Sequence, residues 1–303
     1  MIKYPMRLEP YPREMIWGSN RLKTKFGKEA PFEKLGESWE LTVRPEAQSV
    51  IGNGVYAGKK LSDILECGYD FPLLIKFINS GDRLSVQVHP DDNITDKDGT
   101  PLGKTEMWYI IEAEDDAHII YGLNSGVTKE VFTHLVRQGH FDEALRRVHV
   151  KAGECYFIPA GQVHAIGKGI VLCEIQQNSD TTYRLYDYGR IDKNCLPRTL
   201  HIDEGLGVAR AFSDDEIEAI RYSDGYKEGC LANCDKFEVS LQIAPSILKT
   251  DNSFSAVIFI EGRGEIVHDG DIYAFKEGDT FYIPEDMTVE IKGSCKYLCA
   301  KAK

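Results

Sequence analysis

Short runs of apolar residues recur along most of the chain, and Gly, Pro, Asp and Asn separate them. The runs are rich in Val, Ile and aromatic residues, as in LLIKFI (73–78), RLSVQVH (83–89), EMWYII (106–111), ECYFIP (154–159) and IVLCEIQ (170–176). After about residue 236 the pattern resumes with FEVSLQI, FSAVIFIEG, GEIVHDG, IYAFKEGDTFYIP and CKYLCAK. Regular short strands with turn residues between them are typical of β sandwiches and barrels. The sequence therefore predicts a mainly β protein.

One segment, over about residues 128–148, has a helical period instead. Thr128 is a favourable helix cap, the apolar residues after it follow i, i+3, i+4 spacing, and Gly139 favours a helix end. The segment FDEALRRV (141–148) predicts a second short helix. We therefore expect a small helical insertion in the β architecture.

Two segments of the chain resemble each other: KAGECYFIPAGQVHAI (151–166) and KEGDTFYIPEDMTVEI (276–291). The glycine and the Ile-Pro pair recur at matching places, whereas His164 of the first copy is replaced by Val289 in the second. Such a repeat predicts two similar β domains. If the histidine is functional, the first copy carries the function and the second has a structural role.

The acidic stretch SDDEIEAIRYSDG (213–225) predicts a brief helix followed by a linker. We place the domain boundary there. The expected units are a functional domain over residues 1–225, which includes the helical insertion, and a second domain over residues 226–303. The second domain, which lacks the histidine, is expected to bind no metal.

Composition narrows the classes of function. The chain has 303 residues, with 36 Lys and Arg against 48 Asp and Glu, a formal charge of −12. Such a charge disfavours nucleic acid and anionic membranes as partners, and no run approaches the ~20 apolar residues of a membrane span. The N-terminus lacks the apolar core of a signal peptide.

The cysteines favour a reducing compartment. There are eight, without a CxxC pair, and those in apolar runs are expected to be buried thiols: Cys155, Cys173, Cys295 and Cys299. We therefore expect a cytoplasmic protein.

Polar residues in three predicted strands suggest a metal site. The period of two places Gln87 and His89 on one face of RLSVQVH, and Lys104 and Glu106 on one face of KTEMWYII. Charges that face a β core are costly unless they are paired or bind a metal. His164 follows a strand and a Gly-x5-Pro-x-Gly turn. The imidazoles, carboxylate and amide oxygen suit zinc, while two His and a carboxylate also suit non-heme iron.

The same motifs resemble those of the cupin family, in which G-x5-H-x-H and a Glu precede G-x5-P-x-G-x2-H. Here Gln87 stands in place of the first His, and the insertion DDNITDKDGTPLGKT delays the Glu to Glu106. Five segments are similar to the type I mannose-6-phosphate isomerases: GESWELTVRP (36–45), SVQVHPDD (85–92), GKTEMWYI (103–110), PAGQVHAIG (159–167) and QQNSDTTYRLYDYGR (176–190). The resemblance runs from about residue 1 to beyond residue 200.

This resemblance implies two cupin-type jelly rolls, without the helical domain of longer relatives. It implies zinc-dependent interconversion of mannose 6-phosphate and fructose 6-phosphate through a cis-enediol. One zinc ion per chain is then bound by Gln87, His89, Glu106 and His164. The resemblance also implies roles for Lys104 and Arg184. Longer relatives carry a His before that Lys where this chain has Gly103, so a base role for that His does not transfer.

An isomerase of this type needs a group that moves a proton between C1 and C2 of the sugar. Glu174, which shares a face of VLCEIQ with Gln176, is one candidate, and Asp180 is another, although NSD favours an Asx turn. Lys104 is a third if burial lowers its pKa. Arg184 could steady the enediolate or bind the phosphate. The candidate cations for the phosphate are Lys76, Lys104, Arg184, Arg190, Lys193 and Arg198.

Two other functions fit part of the sequence. A non-heme iron cupin oxygenase would use the same His and carboxylate ligands, and a non-catalytic cupin would bind a sugar phosphate without turnover. In each case the main partner is a small molecule, and we expect a monomer or homodimer.

Overall fold

The structure, a computed structural model, describes residues 1–68, 70–192, 195–220 and 229–303. It is 47% strand and 14% helix, which confirms the predicted mainly β class. The strands are β1 (Met6–Glu9), β2 (Tyr11–Ser19), β3 (Leu35–Leu41), β4 (Val43–Arg44), β5 (Ala47–Gln48), β6 (Val50–Ile51), β7 (Leu73–Ser80), β8 (Val86–Val88), β9 (Glu106–Ala113), β10 (His118–Leu123), β11 (Leu145–His149), β12 (Cys155–Ile158), β13 (His164–Ile166), β14 (Ile170–Gln177), β15 (Tyr183–Tyr186), β16 (Gly229–Asn233), β17 (Phe237–Ile243), β18 (Ser246–Thr250), β19 (Ser255–His268), β20 (Asp271–Lys276), β21 (Thr280–Ile283) and β22 (Met287–Ala302). The α-helices are α1 (Arg21–Phe26), α2 (Leu61–Leu65), α3 (Lys129–Gln138), α4 (Phe141–Ala144), α5 (Ile202–Val208) and α6 (Asp214–Ile220).

Two antiparallel sheets form the part of the fold that contains His89 and His164. A six-stranded sheet, which we call the central sheet, has the order β12-β9-β14-β7-β3-β2, and a five-stranded outer sheet has the order β11-β10-β13-β8-β15. Apolar side chains of both sheets, among them Trp108, Tyr121 and Ile166, form one buried cluster. The arrangement is a β sandwich, in which each inner face supplies alternate residues to the shared interior.

A third sheet covers the other face of the central sheet. This C-terminal sheet has nine strands, most of them after residue 229, but β1 and β6 from the start of the chain also belong to it. Buried residues of the central and C-terminal sheets, such as Phe77 and Leu298, belong to one cluster. Because the central sheet is buried on both faces, every residue of β3 and β7 is buried, including charged ones.

The backbone follows the repeat between residues 151–166 and 276–291. Gly153 and Gly278 have φ of +90° and +88°, and each precedes a short strand. Gly161 has φ of +86°, and Asp286, its counterpart, keeps a positive φ of +57°. The boundary predicted near residue 225 falls among residues that the structure does not describe, so the division at that position stays a prediction.

The helical insertion is shorter than predicted. α3 begins after Thr128, whose hydroxyl accepts a hydrogen bond from Val131 N, and ends at Gly139 with φ of +80°, as expected. The prediction of a second helix over residues 141–148 is wrong in its second half, because Leu145–His149 is strand β11. β11 pairs with β10, and this long-range pairing overrides the local helical preference.

Two smaller expectations can also be compared with the structure. Cys155, Cys173, Cys295 and Cys299 are buried thiols, as predicted. Within the described ranges, no helix combines the length and the apolar character that crossing a bilayer requires.

Candidate active site

A cavity of about 220 Å³ lies between the central and outer sheets. It is lined by five cations and three carboxylates as well as apolar residues, and the charged residues are Arg13, Glu37, Lys76, Lys104, Glu174, Asp180, Arg184 and Arg198. This local excess of cations contrasts with the chain's formal charge of −12. The cavity therefore suits an anionic ligand.

Strand pairing in the outer sheet brings three of the predicted site residues together. In the antiparallel register Arg184 of β15 lies opposite Gln87 of β8, and Gln87 lies opposite His164 of β13. Side chains of directly opposed residues emerge on the same face of a sheet. The three therefore form one row, although Gln87 and Arg184 are far apart in sequence.

A matching row crosses the central sheet. Trp39 lies opposite Lys76, Lys76 opposite Glu174, and Glu174 opposite Trp108. Lys76 Nζ donates to Glu174 Oε1 over 3.1 Å, and Trp108 Nε1 donates to Glu174 Oε2 over 3.0 Å. Lys76 Nζ also lies 5.0 Å from the centre of the Trp39 ring. The charges of Lys76 and Glu174 and the indole donor of Trp108 are therefore paired within this buried row.

His89, Glu106 and His164 form a compact cluster in which three ligand atoms lie within 4.8 Å of one another. The distance from His89 Nε2 to Glu106 Oε2 is 3.5 Å, and that from His164 Nε2 to Glu106 Oε1 is 3.4 Å. All three side chains are buried. Within the described part of the chain, no other group of three or more His, Cys, Asp or Glu residues meets the same geometric test.

The two imidazoles are oriented by backbone carbonyls. His89 Nδ1 is 2.8 Å from Thr181 O, and His164 Nδ1 is 2.8 Å from Gln162 O. Because a carbonyl only accepts, each Nδ1 carries the hydrogen and each Nε2 presents a lone pair toward Glu106. Burial lowers the pKa of His89 well below its usual value and that of His164 to about 4. Both rings are therefore neutral at pH 7, as metal binding requires.

Glu106 has fewer hydrogen-bond donors than a buried carboxylate normally needs. Both of its carboxylate oxygens are buried and accept no hydrogen bond from a described residue, although Lys104 Nζ forms an ion pair with Oε2 at 3.1 Å. Burial, and then the charge of Glu174, raise the pKa of Glu106 to about 7. A buried carboxylate whose two oxygens each face an imidazole lone pair, without a hydrogen-bond donor, is the arrangement expected of a metal site.

Gln87 completes the group of predicted ligands. Its amide nitrogen lies 3.2 Å from His164 Nε2, and its oxygen accepts from Ser85 Oγ over 3.3 Å. For the amide oxygen to face the same point as the imidazoles, the amide must rotate by 180°, which exchanges its nitrogen and oxygen.

Lys104 lies beside the cluster as a buried cation, with Nζ 3.3 Å from His89 Nε2. Burial opposes its charge, but the carboxylates of Glu106, Glu174 and Asp180 together raise the pKa of Lys104. The condition for a proton shuttle at this residue, a lowered pKa, is therefore not met. The preceding residue, Gly103, is fixed by space, since a Cβ there would lie 1.9 Å from Asp92 Oδ1.

The two candidate carboxylates have different surroundings. Glu174 is buried, and although burial alone would raise its pKa, Lys76 and then Lys104 lower it to about 2. Asp180 is exposed at the rim, where Arg13 Nη1 lies 3.4 Å from its Oδ2. Glu174 is thus a permanent anion inside the cavity, whereas Asp180 holds an arginine at the cavity mouth.

The cations proposed for the phosphate differ in how far they are already paired. Arg184 lines the cavity, with Nη1 donating to Thr199 O over 2.9 Å and a buried Nε that has no hydrogen-bond partner among the described residues. Arg198 also lines it but is held by Asp187, to which its Nε donates over 2.7 Å. Arg190 pairs with the same Asp187. Lys193 lies outside the described residues.

Sequence reasoning missed part of the cavity wall. Trp39 Nε1 donates to Glu37 Oε2 over 2.7 Å, and the Arg13 guanidinium lies 4.5 Å from the centre of the Trp39 ring. The signal for Glu37 was present, because an acidic residue within the buried strand β3 needs an explanation. Arg13, near the start of the chain, carries no comparable signal.

Known proteins resemble both parts of the chain. A model of the catalytic domain of type I phosphomannose isomerases matches residues 6–117, and one of the mannose-6-phosphate isomerase cupin domain matches residues 232–301. The mannose-6-phosphate isomerase ManA of Bacillus subtilis is 40% identical over 299 residues, 94% of each chain. A mannose-6-phosphate isomerase of Streptococcus mutans is 36% identical over 295 residues, 93% of each chain.

The fold agrees with these sequence matches. The crystal structure of a mannose 6-phosphate isomerase from Bacillus subtilis has a TM-score of 0.85 at 32% identity, covering 98% of this chain and 99% of that one. The matches confirm the predicted family and its cupin-type fold. The chain therefore belongs to the type I mannose-6-phosphate isomerases, a family of enzymes.

Proposed function

We propose that the cavity interconverts mannose 6-phosphate and fructose 6-phosphate through a cis-enediolate, with one zinc ion bound by Gln87, His89, Glu106 and His164. The observation that carries this proposal is the buried Glu106 carboxylate, whose oxygens accept no hydrogen bond from a described residue and each face a neutral imidazole. Gln87 and Lys104, which lie beside it, line the cavity rich in cations. The names of the relatives supply the substrate class.

The donor geometry supports zinc. Two ligand atoms at about 2.0–2.1 Å from one tetrahedral ion lie about 3.4 Å apart, and the two histidine-to-carboxylate distances are 3.4 and 3.5 Å. Imidazole, carboxylate and amide donors are acceptable to zinc. When bound, the metal would supply a Lewis acid for the sugar carbonyl and hydroxyl oxygens.

The chain's own residues account for the handling of negative charge. In the enediolate, charge develops on the oxygens of C1 and C2, and a fixed cation at that point lowers the barrier. Lys104, a buried cation 3.1 Å from Glu106, is placed to donate to one of these oxygens. Arg184, in the same row as Gln87, has an Nε that donates to no described residue and is placed for the enediolate or the phosphate.

Glu174 has a different proposed role. A carboxylate with a pKa of about 2 is a weak base for a carbon-bound proton. It remains ionised at neutral pH and can accept a hydroxyl hydrogen of the sugar, which orients the ring. Asp180, through its ion pair with Arg13, is proposed to position that arginine at the entrance.

A coupled assay of fructose 6-phosphate formation tests the function. The zinc-loaded protein should turn over mannose 6-phosphate, lose activity on chelation and regain it when zinc is returned. Absence of turnover by the zinc-loaded protein would refute the isomerase proposal.

Metal analysis and an oxygen electrode test the oxygenase alternative, which requires iron and oxygen consumption. The cytoplasmic location and the monomeric or homodimeric state stay predictions.

A further inference from the structure

A second cavity, of about 120 Å³, lies on the opposite face of the outer sheet, beside α4. We call it the outer pocket, and its floor and rim include Val86, Ile120, Leu145, Ala165, Arg83 and Lys168. Val86 and Ala165 are sequence neighbours of Gln87 and His164. Since successive side chains of a strand point to opposite faces, the outer pocket and the substrate cavity lie back to back on the same strands.

The charges of the outer pocket favour an anion. Arg83 and Lys168 are exposed at the rim, and neither forms a salt bridge with a described residue. Arg147, a third cation of the rim, pairs with Asp142 over 2.9 Å, and Asp142 is the acidic residue of the lining. Two uncompensated cations in a chain with a formal charge of −12 form a local site of opposite sign.

Aromatic rings make one wall of the pocket. Tyr186 stacks on Phe141 with ring centres 4.6 Å apart, and Tyr188 meets Tyr186 edge-on at 4.8 Å. The Arg83 guanidinium lies 3.7 Å from the centre of the Tyr188 ring. Tyr188 has φ of +58°, a conformation that bulky residues rarely adopt. The strained backbone thus places an aromatic ring under Arg83, which orders the guanidinium.

We propose that the outer pocket is a second, non-catalytic binding site for a small phosphate monoester. The phosphate contacts Arg83 and Lys168, whose donors suit its oxygens, and a small apolar or aromatic group rests on Val86, Ile120 and Leu145. The volume is somewhat below the roughly 150 Å³ of an apolar cavity that holds one benzene molecule, so the enclosed group is no larger than a single ring. A hexose, with hydroxyls on every side, matches the apolar floor poorly.

Two contacts connect this site to the substrate cavity. Ile166 lines both cavities. Arg190 donates to the Arg83 carbonyl and pairs with Asp187, and Asp187 in turn holds Arg198 at the wall of the substrate cavity. A ligand that moves Arg83 therefore acts on a chain of one hydrogen bond and two ion pairs that ends at Arg198, which lines the substrate cavity. We expect occupancy of the outer pocket to change the KM for mannose 6-phosphate rather than kcat.

Calorimetric titration of the zinc-loaded protein with phenyl phosphate tests the site. Part of the binding should persist when hexose phosphate saturates the substrate cavity, and Arg83→Ala/Lys168→Ala should weaken that part at least tenfold. The matched control Arg137→Ala/Lys151→Ala removes the same charge elsewhere and should leave it unchanged. Complete displacement by hexose phosphate, or equal loss in the control, would overturn the proposal.

Two further measurements test the role of the apolar floor and the coupling to the substrate cavity. Inorganic phosphate should bind at least tenfold more weakly than phenyl phosphate, and equal affinity would refute a role for the apolar floor. Phenyl phosphate at saturating concentration should change the KM at least about fivefold, the lower range of ordinary coupling, in the unsubstituted protein but not in Arg83→Ala/Lys168→Ala. Binding without a change in KM would refute the coupling between the two cavities but not the binding site itself.

Discussion

The ion pair between Lys76 and Glu174 makes a strong prediction about stability. Both side chains are 4% exposed, and their charged atoms are 3.1 Å apart. Lys76→Met keeps the length of the side chain but leaves the Glu174 carboxylate buried, with Trp108 Nε1 as its remaining side-chain donor in the row. We expect the substitution to be much more costly than an ordinary surface change.

The expected loss in the free energy of unfolding follows from the two contacts that Lys76→Met removes. Removing one partner of a buried ion pair costs about 3–5 kcal/mol, and the retained Trp108 hydrogen bond favours the lower end. The interaction of this buried ammonium with the Trp39 ring, at 5.0 Å, contributes about 2 kcal/mol. Added to about 3 kcal/mol for the ion pair, the total is about 5 kcal/mol. Glu174→Gln added to Lys76→Met removes the unpaired charge and should recover about half of it.

The pH dependence has a defined sign. In the unsubstituted protein the pKa of Glu174, about 2, lies below the unfolded value of about 4.3. Its contribution is therefore present above about pH 4.3, is lost as the pH falls toward 2, and is constant between pH 5 and 8. In Lys76→Met, burial raises the folded pKa, so stability is lost as the pH rises through it. The difference between the two proteins should shrink from pH 8 to pH 5.

Urea unfolding of the zinc-saturated proteins at several pH values measures this difference. Lys34→Met, at an exposed position, is the matched control and should stay within about 0.5 kcal/mol of the unsubstituted protein. The reasoning is refuted if Lys76→Met costs less than 1 kcal/mol, if the double variant recovers nothing, or if the difference does not vary with pH.

The remaining predictions concern the metal and the reaction. His164→Ala should lose bound zinc during dialysis and all activity, and retention of about one zinc per chain by elemental analysis would exclude His164 as a ligand. Arg184→Ala should keep its zinc and lose about 10²–10³-fold in kcat/KM, the usual effect of removing one donor to a developing oxyanion. Unchanged steady-state kinetics would remove Arg184 from the mechanism. Glu174→Gln should keep its zinc and lose about 10–100-fold in kcat, since a hydrogen bond to a charged group contributes about 1.5–3 kcal/mol. A loss near that of His164→Ala would instead assign the proton transfer to Glu174.

The cavity wall differs in charge from the chain as a whole. A formal charge of −12 disfavours polyanionic partners, yet the cavity wall concentrates arginines and lysines. Substrate binding should therefore depend on a few named cations close to the phosphate. Their effect is short in range, because salt screens exposed charges beyond about 8 Å in physiological buffer.

The sequence by itself determined the features that local patterns encode. Alternation in RLSVQVH placed Gln87 and His89 on one face, and the Gly-x5-Pro-x-Gly turn marked His164 as the end of a strand-turn unit. The positive φ of Gly161 shows why that turn could be recognised, since glycine adopts such a conformation without strain. The mainly β class and the family resemblance depend on such local signals, and the structure and the comparisons confirm both.

Tertiary structure alone decided which distant residues meet. Pairing of β7 with β14 sets Lys76 against Glu174. Burial opposes the charge of this carboxylate, but Lys76 and then Lys104 lower its pKa and keep it an anion. The pairing of β10 with β11 turned Leu145–His149 from an expected helix into a strand. Arg13 reached the cavity mouth through the pairing of β2 with β3. These outcomes depend on register between strands far apart in sequence, and a one-residue shift reverses the face of every side chain.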